Sequence, residues 1–146
     1  MKSITLILLS LFLGKSCSQE APKDIANTVI QYTATSRGYY IQIVVVNQKA
    51  TISRGRENKK PTEEITISKS DWNALIAEFQ KITLEDLPTL KDPTQKRFYD
   101  GAAIANLKIR YQGKNYETVD FDHGFPPTAI EKFVQKIVSL DTQQGE

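Results

Sequence analysis

The chain predicts an α+β fold of two layers, an antiparallel sheet of about five strands packed against two amphipathic helices. Three observations carry this expectation. Alternating or β-rich runs recur in pairs separated by short turn signals. Two later stretches repeat apolar residues at i, i+3, i+4 and i+7, the spacing of one helix face. The order of elements, strands closed by a helix and then strands closed by a second helix, is that of a sheet covered on one side.

The first strands are Thr28 to Thr35 and Gly38 to Asn47, joined by a turn at Ser36 to Gly38. In the second run Tyr39, Ile41, Ile43 and Val45 share one face, and Tyr40, Gln42, Val44 and Val46 the other. Both faces are largely apolar, as expected for an inner strand. "NQKA" turns the chain into a third strand around Ala50 to Arg54, and Arg54 to Glu64 reads as a charged, solvated loop. In "SDWNALIAEF", Ser70 is the expected N-cap, and Trp72, Leu75, Ile76 and Phe79 form the buried stripe. Pro88 and Pro93 keep the next stretch irregular, with one short helical turn expected after Thr83. Ala105, Leu107, Ile109 and Tyr111 then alternate with polar residues, "QGK" turns, and "NYETVDFD" returns, a strong hairpin pattern. Gly124, Pro126 and Pro127 mark a strand-to-helix corner before the second stripe, Ile130, Phe133, Val134 and Ile137.

Ahead of this domain, expected over 28–141, lies a different kind of segment. Lys2 is followed by an apolar run from Ile4 to Leu13 and by small residues, the layout of a secretory signal peptide over 1–16. The run is about half the roughly 20 residues that span a bilayer. Residues 17–27 read as a tether and 142–146 as a polar tail. Of the 19 Lys and Arg, Lys2 and Lys15 fall in the signal, so the remainder balances the 17 Asp and Glu. A neutral domain lacks the electrostatic footprint of a nucleic-acid binder.

"LFLGKSCSQE" resembles the lipobox of bacterial lipoproteins, in the looser form of Bacteroidota. Gly14, Lys15 and Ser16 stand where an aliphatic and two small residues are usual. The resemblance implies cleavage before Cys17, diacylation of its thiol, and a cell-envelope location with the membrane as partner through that lipid. Cys17 is the only cysteine. Acylation accounts for an otherwise unpaired thiol in an exported chain, and the fold must hold without a disulfide. The alternative is ordinary signal cleavage before Gln19, giving a soluble secreted protein.

His123 is the sole histidine. Asp120 and Asp122 precede it, and Asp100 lies at the start of the partner strand. Asp100, Asp120, Asp122 and His123 therefore form a tentative cation, ligand or acid–base site. The rival reading is a corner in which Asp122 bonds backbone amides and Asp100 makes an Asp-Gly turn. No dinucleotide fingerprint, P-loop, nucleophile elbow or zinc spacing occurs, so no cofactor is expected. Tyr39, Tyr40 and the cations Arg54, Arg56, Lys59 and Lys60 are the exposed candidates for gripping an acidic partner.

"YDG", followed by strand, turn, strand and helix, is similar in layout to small exported protease inhibitors of the emfourin type. That resemblance implies an inhibitor-like module as one alternative and carries no functional residues. The leading expectation is a non-catalytic, membrane-tethered binding or interaction module with a protein partner in the envelope.

Overall fold

A computed structural model of the chain describes residues 22–142. The expected signal, Cys17 and the first part of the tether (17–21) lie outside the described residues, as do the last four residues of the tail. The fold is the expected α+β sandwich, with seven strands rather than about five. They are β1 (Val29–Thr35), β2 (Tyr40–Val46), β3 (Lys49–Ser53), β4 (Glu63–Thr66), β5 (Ile104–Tyr111), β6 (Lys114–Glu117) and β7 (Phe121–Asp122). The helices are α1 (Lys69–Gln80) and α2 (Glu131–Ser139). The sheet runs β4-β3-β2-β1-β5-β6, with β7 also paired to β5, and every pairing is antiparallel.

Alternation decides which face is buried. Ile30, Tyr32 and Ala34 of β1, Ile41, Ile43 and Val45 of β2, and Ala105, Leu107 and Ile109 of β5 form one buried surface. The register sets them in rows, for example Val45 beside Ile30 beside Ile109. Leu75 and Phe79 of α1 and Phe133, Val134 and Ile137 of α2 complete that core, with the Phe79 and Phe133 rings 5.8 Å apart. Burying each such side chain contributes about 1.5–3 kcal/mol before entropy is subtracted. The opposite face carries Gln31, Thr33, Gln42 and Asn106 and is only partly covered, so β2 has one buried and one half-open face, as expected.

Two turns depend on left-handed backbone. Asn47 and Gln48 (φ 44 and 64) join β2 to β3, and Gln112 and Gly113 (φ 49 and 77) join β5 to β6. Tyr111 pairs with Lys114, so the second hairpin has a two-residue turn rather than the expected three. Positive φ at both central residues matches the right-handed twist of the strands.

The tether is shorter than expected. Ile25 is buried in the core, the Lys23 amide donates to Gln80 Oε1 (2.8 Å), and Thr28 Oγ1 donates to the Asp24 carbonyl (2.6 Å). An apolar residue at position 25 lets the chain bury itself before β1 begins. In the irregular stretch, Leu84–Thr89 forms the short 3-10 turn expected after Thr83, and Lys96–Tyr99 forms a second.

Candidate functional site

The expected cluster of Asp100, Asp120, Asp122 and His123 does not assemble. Asp122 is fully buried and turns toward the preceding connection. It accepts hydrogen bonds from Thr94 Oγ1 (2.5 Å), the Lys96 amide (2.6 Å), and the Arg97 amide and Nη1 (both 3.0 Å). Arg97 also pairs with Asp92 at 2.6 Å and is itself only 11% exposed. Burial acts to raise the Asp122 pKa, but these donors outweigh it and hold the carboxyl at about 2. Asp120 is exposed and accepts from Asn106 Nδ2 at 3.2 Å. Asp100 is exposed in the left-handed region (φ 59), after the Lys96–Tyr99 turn. Among the described residues no group of three or more His, Cys, Asp or Glu is placed to hold a metal ion. The corner reading fits: Asp122 does bond backbone amides, the Phe125 amide donates to the Asp122 carbonyl, and Gly124 takes φ 90.

His123 faces the core side, one strand alternation from Phe121. Its amide donates to the Ala103 carbonyl at 2.9 Å. Tyr32 Oη lies 2.7 Å from Nδ1, and Tyr39 Oη lies 3.4 Å from Nε2. Burial lowers the imidazole pKa, against an opposing pull from Asp141. A neutral imidazole has one donor and one acceptor, so one tyrosine donates to it and the other accepts. Tyr32 is completely buried, and a phenol there needs such a partner. Both ring nitrogens are thus engaged, and no carboxylate orients the ring. The arrangement positions Tyr39 rather than exposing a base.

Tyr39 leads to the feature that sequence separation hides. Tyr39, Tyr40, Arg54, Arg56, Lys59 and Lys60 line one open cleft of about 340 Å³, together with Arg37 and two glycines. The register explains the convergence. Thr35 pairs with Tyr40 and Gln42 with Ser53, so the β1–β2 turn and the loop after β3 leave the sheet at the same end. No carboxylate lines this cleft. Arg54 is neutralised by Glu63 (2.7 Å) and Asp141 (2.7 Å), which fix it as a wall. Arg56 bonds Thr35 Oγ1 (2.6 Å) and the Ser36 carbonyl, clamping the two loops together without an acid. Lys59 makes a loose, exposed pair with Glu57 at 3.6 Å. Arg37 and Lys60 have no carboxylate partner among the described residues. Tyr39, Tyr40 and the loop were legible as candidates; Arg37 was missed, and its place in the "SRG" turn beside "YY" was the available signal.

A larger cleft, about 590 Å³, lies at the opposite end of the sheet between Lys23, Lys81 and Tyr116. Its charges are mixed in sign and mostly engaged locally, with Lys114 5.0 Å over the Tyr116 ring. Lys23 Nζ donates to the Gln80 carbonyl, Lys81 pairs with Glu78, and Glu85 lines the same space. The basic cleft is therefore the better candidate despite its smaller volume.

Among the described residues, no helix is long and apolar enough to cross a membrane. Comparison of the chain with protein-family models, with curated proteins and with solved structures found no match to any of them.

Proposed function

We propose that the chain is an exported, lipid-anchored envelope protein that acts as a non-catalytic binding module for an anionic partner, through the Tyr39–Arg37–Lys60 cleft. One observation carries the reading: residues far apart in sequence meet in a cleft lined by five cations, two tyrosines and no acid. Cations left without carboxylates in an otherwise balanced domain raise the local potential and steer an anion. Tyrosine adds area at low entropic cost. The membrane partner follows from the lipid expected at Cys17, and the contacts of both His123 ring nitrogens with tyrosine hydroxyls support binding over acid–base chemistry.

The test is a titration of the mature protein with fluorescently labelled hexaglutamate at low salt, read by anisotropy. Binding should weaken as salt rises. Arg37→Glu with Lys60→Glu should weaken it by at least about tenfold, because each reversal replaces attraction with repulsion. Lys81→Glu, at the other end of the sheet, should leave it unchanged. Equal loss from Lys81→Glu, or equal affinity for hexalysine, would contradict the assignment.

A further inference from the structure

The connection before β5 builds an unusual surface. Phe98 and Tyr99 are each 71% exposed, adjacent, and carried on the Lys96–Tyr99 turn. Adjacent aromatics at that exposure are a marked apolar feature for a polar turn. The turn that carries them is held rigidly. Asp122, with no exposed surface, anchors it through the Lys96 and Arg97 amides and the Arg97 guanidinium. The Arg97 guanidinium lies 4.5 Å over the Phe98 ring. The Gly101 amide donates back to the Lys96 carbonyl at 2.8 Å, and a Cβ at Gly101 would come within 2.8 Å of the Tyr99 ring. A fully satisfied buried charge that fixes a loop whose aromatics stay in water is preorganisation for contact.

This turn adjoins the basic cleft. Arg37 lines the cleft and also a second, shallow depression with Asp100, Gly101 and Ala103. Asp100 and Gly101, which directly follow Phe98 and Tyr99, thus share a depression with Arg37 of the cleft. It lies at the C-terminal end of β1, whereas the chain, already packed at Ile25, enters that strand at its other end, Val29. The seven residues between span roughly 20 Å.

We propose that the occupant of this surface is a segment of a second polypeptide in which a run of acidic residues is followed by apolar ones. The acids lie in the cleft against Arg37, Arg56 and Lys60, and the apolar side chains cover Phe98 and Tyr99. This rests on the binding reading above and names the partner's chemistry. Charge complementarity fixes the acidic half. The aromatic pair, enriched at the centres of protein contacts, fixes the apolar half.

The experiment compares labelled hexaglutamate with hexaglutamate extended by Phe-Leu-Phe, on the mature chain. Anchoring of the apolar half should tighten binding by at least about tenfold. Phe98→Ser with Tyr99→Ser, both exposed and expected to leave the melting curve unchanged, should erase that gain and keep hexaglutamate affinity intact. The inference is overturned if the extension brings no gain, or if the gain survives the double substitution. It is also overturned if polyphosphate or phosphatidylglycerol vesicles bind more tightly than the extended peptide, or if the double substitution abolishes self-association in sedimentation. Absence of any hexaglutamate binding would bring down the cleft assignment itself, a separate result.

Discussion

Asp122 shows how a buried charge becomes acceptable. Four donors surround its carboxylate, and removing them in the unfolded chain returns its pKa from about 2 toward 3.8. A depressed folded pKa contributes stability that is fully present above pH 3.8 and disappears as pH falls toward 2, a span of about 2 kcal/mol. His123 acts at higher pH. Its folded pKa lies below 6.5, so the unfolded chain takes up a proton first and stability declines as pH falls below 6.5. Urea unfolding across pH should therefore show two declines, and His123→Gln should remove only the upper one. Asp122→Asn should cost about 2–4 kcal/mol at neutral pH, since Arg97 keeps only Asp92 and loses its better-buried partner. A cost under about 0.5 kcal/mol would show that the carboxylate does not hold the turn. Proximity in sequence suggested that Asp122 and His123 belong together. Adjacent residues of an extended chain point to opposite sides, and so one serves the connection before β5 and the other serves Tyr32 and Tyr39.

At the scale of elements, periodicity was a good guide and boundaries were not. The stripe Ile130, Phe133, Val134 and Ile137 is entirely buried, with Ile130 at the N-cap of α2 and the other three on the helix. In α1, Leu75 and Phe79 are buried, while Trp72 and Ile76 pack at its margin. The cap of α1 is Ser68, not Ser70. Its Oγ accepts from the Asp71 amide at 3.1 Å and donates to Asp71 Oδ2 at 2.8 Å. Gln48 fixes the choice by holding Ile67 through two hydrogen bonds, so the helix starts directly after Ile67. Ser68→Ala should cost about 1 kcal/mol, and Ser70→Ala less than about 0.5, in thermal or urea unfolding. The reverse order would refute the cap. β4 was not outlined, because the four residues of "EEIT" are too short to show alternation and pairing with β3 alone makes them a strand, while "NYETVDFD", expected as one returning strand, divides into β6 and β7. The Lys96–Tyr99 turn was equally unreadable, because the residue that holds it, Asp122, lies 25 positions away from Arg97.

For the whole molecule, the antiparallel register sorts chemistry between the two ends of one sheet. The end where the chain enters carries Lys23 and Lys81, bonded to Gln80 and Glu78, and Lys114 over the Tyr116 ring. The far end carries the basic cleft and the exposed aromatic pair. Balanced composition concealed this polarity, because charge counts do not say which cations are neutralised. Fold class was legible from pattern; the cleft required knowing which loops share an end. The lipid anchor proposed at Cys17 is the point on which the envelope location rests. Intact mass spectrometry of the protein extracted from envelope fractions addresses it directly. The expected result is a chain that begins at Cys17 and carries a diacylglycerol on that thiol. A chain beginning at Gln19, or one retaining Met1 in the cytosol, would contradict it.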